Sequence, residues 1–230
     1  MVNRFSMLPM LAALAACVFC SSARAAEEAK TATEQPAITL PAPDLEGKVT
    51  VEQALKQRRS VRSYADEPLT LQQVSQLLWA AQGITEPTRG LRTAPSAMAS
   101  YPLRVYLVAG NVKDLPAGVY QYMPQGHKLE LVETGDQRAN VGGQPQVRNA
   151  PALIVYVIDY TVLGKKSGDR AKKFAYLEVG HSAQNVLLQE VALGLVGVPI
   201  GGADEAKVRT IFKLTADQEP AYVITVGKKG

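Results

Sequence analysis

Thiols are scarce in this 230-residue chain: it has two cysteines, Cys17 and Cys20, and both stand within its first two dozen residues. A mature chain without them has neither a disulfide framework nor a thiolate nucleophile. Histidine is equally sparse, at His127 and His181, so a zinc or iron site rich in sulfur or imidazole ligands is poorly supplied. There is no Gly-x-Ser-x-Gly elbow, no Walker loop and no His-Glu-x-x-His pair, which leaves hydrolysis and phosphoryl transfer without their usual machinery. Nor is there a basic stripe interleaved with aromatics, and a formal charge of only +4 gives no support to nucleic-acid binding.

What the chain does have begins with a processing signal. Arg4 precedes an apolar run from Met7 to Cys20 that is short for a bilayer span, and Ala23-Arg24-Ala25 sets small residues where a signal peptidase reads. Residues 1–25 are therefore expected to be a signal peptide delivering the protein to the periplasm or beyond. Leu14-Ala15-Ala16-Cys17 offers the alternative of a lipoprotein anchored at Cys17. Loss of Arg4 and Arg24 lowers the formal charge from +4 to +2. Residues 26–49, rich in Ala, Glu, Thr and Pro, read as a flexible leader that ends in an extended arm through Ile38 to Pro43. Residues 50–230 then form one domain.

Within that domain, Thr50 with Gln53 and Thr70 with Gln73 have capping-box spacing, predicting helices to about Gln57 and Gly83. Strands are expected at 104–109, 118–122, 128–132, 152–158 and 221–226; the second and third form a hairpin whose loop exposes His127. The longest predicted helix covers 170–193, with Phe174, Leu177, His181, Leu188 and Ala192 near one face and His181 packed rather than catalytic. Asp204 is placed to cap a short helix through Phe212. Helices and strands interleave without a βαβ beat, which indicates an α+β fold.

Three segments could carry chemistry. Arg58-Arg59-Ser60-Val61-Arg62 concentrates guanidinium forks able to hold a phosphate, although taken alone the cluster reads better as a basic helix end complementing the dipole. Ala94 to Pro102 supplies small residues and the hydroxyls of Ser96 and Ser100 beside a flat ligand, or an ordinary loop. The glycines at 194, 197, 201 and 202 lack the strand-turn-helix setting of a dinucleotide fingerprint. Their amides could face an electron-rich atom, or the run could be a tight crossover into a strand. With few protein nucleophiles, cofactor chemistry is the better class.

Taken in order from Val51 to Gly227, these segments resemble the FMN-dependent nitroreductase superfamily, and more closely its branch related to azoline-oxidising dehydrogenases. The resemblance rests on Arg58 to Tyr64, Leu77 to Gly83, Arg92 to Ala97, Leu177 to Asn185 and Pro199 to Gly202. It implies a nitroreductase-like fold with a mixed, mainly antiparallel sheet flanked by helices, and a homodimer holding two FMN groups. Arg58, Arg59 and Ser60 would take the phosphate and ribityl end, with Arg62 toward the ring. Pro95, Ser96 and Ala97 would line the isoalloxazine from the partner subunit, Gly201 and Gly202 would approach N5, and Lys228 and Lys229, after the last strand, would reach the phosphate. Where the branch has a Lys-Tyr pair this chain has Lys166-Ser167, keeping the amine and losing the phenol. Met98-Ala99 replaces the polar residue that often follows the Pro-Ser-Ala turn in nitroreductases. The implied activity is hydride transfer to or from a small organic substrate. Export from the cytoplasm points to a periplasmic redox partner in place of nicotinamide, and the alternative is a noncatalytic flavin-binding carrier of the same fold.

Overall fold

The computed structural model describes Met1 and residues 36–230, apart from the side chains of residues 164–166. Cys17, Cys20 and the processing signals lie outside the described residues.

Residues 37–230 form one compact unit. In chain order it comprises β1 (Ile38–Thr39), α1 (Val51–Gln57), α2 (Leu71–Gln82), β2 (Ile84–Glu86), β3 (Leu91–Arg92), β4 (Leu103–Ala109), β5 (Gly118–Met123) and β6 (Lys128–Thr134). There follow α3 (Arg138–Val141), α4 (Pro145–Asn149), β7 (Ala152–Asp159), α5 (Tyr160–Ser167), α6 (Ala171–Ala192), β8 (Leu195–Ile200), α7 (Glu205–Ile211) and β9 (Gln218–Lys228). The main sheet has seven strands in the order β1-β6-β5-β4-β7-β9-β8, every ladder antiparallel. Strands β2 and β3 form a separate hairpin.

Both capping boxes are present, so Thr50 and Thr70 settle where α1 and α2 begin. On one face of the sheet α2 and α6 cover Val105, Leu107, Ile154, Tyr156, Ile224 and Val226. On the other, Val141, Val147, Val208 and Phe212 from α3, α4 and α7 pack on Tyr106, Val155, Val157 and Val223. Because both faces are covered, β7 is buried along its whole length, as its unbroken apolar run requires.

The structure departs from the sequence expectations in several places. The glycine-rich stretch after α6 contains a strand, β8, at the edge of the sheet, where Pro199 costs the ladder no central bond. Strand β9 extends to Lys228, so that lysine ends the strand instead of following it. The extended arm contributes a short strand to β6, and Leu40 is buried with its N–H donated to the His127 carbonyl at 3.0 Å.

Helix α6 is turned differently from its expected stripe. It buries Ala175, Glu178, Val179, Ser182, Ala183, Val186, Leu187 and Glu190, while Leu177 is 51% exposed and His181 is exposed rather than packed. Small side chains let α6 sit closely on the sheet, so burial follows fit more than hydropathy. His127 reverses the other way, half-buried instead of exposed. Tyr122 Oη lies 2.9 Å from its Nδ1, and the Ser75 hydroxyl and Pro41 carbonyl lie 2.7 and 3.0 Å from its Nε2. Burial holds its imidazole below the ordinary histidine range, which favours the neutral form suited to clamping the arm.

Candidate active site

The site is built on the sheet edge at β8. As α1 ends, the chain runs alongside this strand: Ser60 forms a parallel bridge with Gly197, and Val61 N–H donates to the Gly197 carbonyl at 3.0 Å. Tyr64 then bridges Lys229, Ala65 N–H donates to the Lys228 carbonyl at 3.0 Å, and the Tyr64 and Thr225 hydroxyls are 2.6 Å apart. Gly197 is also closely packed on its own side of the strand, since a Cβ there would run into the Thr225 carbonyl and the Glu190 carboxyl.

The arginine cluster therefore lies along β8, and Lys228 and Lys229 lie at the other end of the same segment. Arg59 donates from NH1 to the carbonyls of Lys56 and Arg58 at 2.9 and 2.7 Å, closing the end of α1. Arg58 is half-buried and its positive charge favours the ionised form of Glu190; Arg59, Ser60 and Arg62 are exposed. Lys228 Nζ is 2.7 Å from a Glu67 carboxylate oxygen. Strand β8 leads directly into Gly201 and Gly202, both exposed, with open space where a Cβ would stand. Gly201 follows Gly197 by four residues, about 13 Å of extended chain.

Pro95, Ser96 and Ala97 lie elsewhere in the chain, on a loop against α6 that shares no hydrogen bond with β8 among the described residues. This loop is strained. Met98, Ala99 and Tyr101 have φ of 55°, 49° and 50°, a region unfavourable for residues with a Cβ. The Ser96 hydroxyl accepts the Tyr101 N–H at 2.8 Å and stabilises the turn from within. Lys166 falls on α5, with its side chain outside the described residues.

Sequence reasoning missed two acids. Glu178 and Glu190 of α6 are each 2% exposed. Burial pushes Glu178 up to about 7, against the pull of Ser96, Gln82 and Arg92. Burial raises Glu190 well above the ordinary carboxylate range, with Arg58 opposing, and its Oε1 has no hydrogen-bond partner. The available signal was their four-residue spacing with Ser182 and Val186, which puts both carboxylates in line with buried positions of the helix.

With this geometry in hand, the comparisons with known proteins are decisive at the family level: the Nitroreductase family model matches residues 55–228. The chain belongs to the nitroreductase family. A candidate nitroreductase of Methanocaldococcus jannaschii is 37% identical over 191 residues, 81% of this chain and 94% of that one. The solved structure of a candidate nitroreductase from Ralstonia eutropha has a TM-score of 0.77 at 32% identity, covering 87% of this chain and 92% of its own. The microcin B17-processing protein McbC of Escherichia coli is 30% identical over 136 residues, 55% of this chain and 50% of that protein. Nitroreductase-family proteins are FMN-binding oxidoreductases, and the segment matched here includes Arg58, the Pro95 loop, Gly201 and Lys228.

Proposed function

We propose that this nitroreductase-family protein is an exported, homodimeric FMN-dependent oxidoreductase of the branch related to azoline-oxidising dehydrogenases, moving hydride or electrons between a donor and a small organic substrate. The observation that carries the reading is the pairing of the Arg58–Arg62 segment with β8. It aligns an anion-binding cluster with two exposed glycines at the end of the same strand.

The residues present fit FMN. Arg58, together with the exposed Ser60 hydroxyl, Lys229 and the redirected forks of Arg59 and Arg62, suits a phosphate. Lys228 can add to this charge by releasing Glu67. The open backbone at Gly201 and Gly202 lets N–H groups approach an electron-rich ring edge. FMN, when bound, supplies a ring that accepts and returns a hydride. The protein's part is to orient the reactants and exclude water. Lys166 Nζ is assigned proton handling from its place in the Lys-Ser pair.

Dimerisation is supported by apolar surface. Tyr176 and Leu177 on α6, and Val51 and Leu55 on α1, are exposed, and a groove of about 280 Å³ lies among α1, α2 and α6. In this reading the Pro95–Ala97 loop of the second copy lines the ring.

The test is to purify the protein from the periplasm, record its visible spectrum and identify the released cofactor by mass. A yellow protein with one FMN per chain is expected. Arg58→Ala combined with Arg59→Ala should weaken FMN retention at least tenfold and leave the circular dichroism spectrum unchanged. Unchanged retention would overturn the phosphate assignment. Electron supply by a periplasmic partner predicts that NADH and NADPH reduce the flavin slowly under anaerobic conditions, and rapid bleaching would contradict it.

A further inference from the structure

A cavity of about 190 Å³ opens where β4 begins and β5 and β7 end, with Arg92, Tyr101, Arg104, Met123 and Asp159 among its walls. Its charges are unevenly matched. Arg104 is committed to Asp159, reaching one carboxylate oxygen from Nε at 2.7 Å and from NH2 at 2.6 Å. Arg92 has no such partner. Its NH1 donates to the neutral amide oxygen of Gln82 at 2.9 Å, its guanidinium carbon lies 4.6 Å from the Tyr101 ring centroid, and no carboxylate touches it among the described residues. Glu178 stands one group further along, accepting from Gln82 Nε2 at 3.4 Å.

A guanidinium stays charged, and partial burial without a contacting anion is costly. The remaining N–H groups form a planar fork that matches a carboxylate bidentately. Around it, the Tyr101 ring and the Met123 thioether provide apolar, polarizable walls suited to a flat ring. Gln82 and Tyr101 fix the guanidinium in advance, so an entering anion orders little that is not already held.

We propose that this cavity binds small aromatic carboxylates, of which benzoate is the simplest, with Arg92 as the anchor. The site is formed without β8 and does not depend on the FMN reading.

Calorimetric titration of the protein as isolated would compare benzoate with benzamide, which keeps the ring without the charge, and acetate, which keeps the charge without the ring. Benzoate is expected to bind at least about tenfold more tightly than either, the range for a charge-assisted hydrogen bond. Arg92→Gln should reduce benzoate binding to the benzamide level. Arg209→Gln, at a half-buried arginine on α7 paired with Glu205 and outside the cavity wall, should leave it unchanged. Benzoate binding no tighter than benzamide, or full affinity in Arg92→Gln, would overturn the proposal. So would a benzoate-induced change in the visible spectrum of bound flavin that survives Arg92→Gln, because it would place the ligand at the ring. Should Arg92→Gln fail to fold, the three-ligand series on the unaltered protein decides alone.

Discussion

Glu178 shows how one side chain ties the core to the candidate site. Its carboxyl is surrounded by Gln82, Ser96 and Arg92, yet burial outweighs them and raises its pKa to about 7. In the unfolded chain the same group titrates near 4.3. Between these values the folded protein holds a proton that the unfolded chain has released, so stability must fall as pH rises through that window. Integrated across it, the loss is on the order of 3 kcal/mol. Urea denaturation at intervals from pH 4.5 to 8 should show this decline, and Glu178→Gln should make it shallower while keeping the fold, leaving the part that buried Glu190 contributes in the same direction. An equally steep decline in Glu178→Gln would assign the effect elsewhere. Gly197→Ala is a second test at this scale. The added methyl has nowhere to go between the Thr225 carbonyl and the Glu190 carboxyl, and the variant should lose about 2 kcal/mol or more in the same assay.

At the scale of elements, sequence legibility followed the range of the forces involved. The two capping boxes are local, reciprocal hydrogen bonds, and both helices begin where Thr50 and Thr70 stand. Thr50→Ala and Thr70→Ala should each cost about 1 kcal/mol by urea midpoint, with the slope unchanged. The continuous apolar run of β7 likewise announced a central strand. Strand β8 was hidden because Gly194, Gly197, Pro199 and Gly201 suppress local strand propensity; its pairing with β9 comes from distant residues that needed the fold to be known. The orientation of α6 was misread for a related reason. Alanine and serine at 175, 182 and 183 are buried because they fit against the sheet, whereas the larger Leu177 is left outside. His127 and His181 follow the same logic: a loop position says nothing about the arm that will cover it, and a helical position does not say which neighbours a face will meet. The arginine cluster was legible as residues, but its registry with Gly197 became visible only through the paired backbone.

For the whole molecule, the exposed face of α6 is the observation that connects packing to function. Tyr176, Leu177 and the open surface at Gly180 occupy the same stretch of helix, with Val51 and Leu55 of α1 also unpaired with the core. Covering the exposed half of Leu177 would contribute roughly 1 kcal/mol per copy before association costs, and a two-fold contact counts that gain twice. If the second copy also delivers the Pro95–Ala97 loop to the flavin, dimer formation and FMN binding must strengthen one another, because each favours the same assembled state. Leu177→Asp places a charge in the middle of the proposed contact. Sedimentation should then shift from dimer to monomer, and the same variant should release FMN on dilution at protein concentrations where the unaltered protein keeps it. A Leu177→Asp monomer that retains FMN as tightly as the unaltered protein would separate the two properties and show that β8 and the arginine cluster of one chain hold the cofactor unaided.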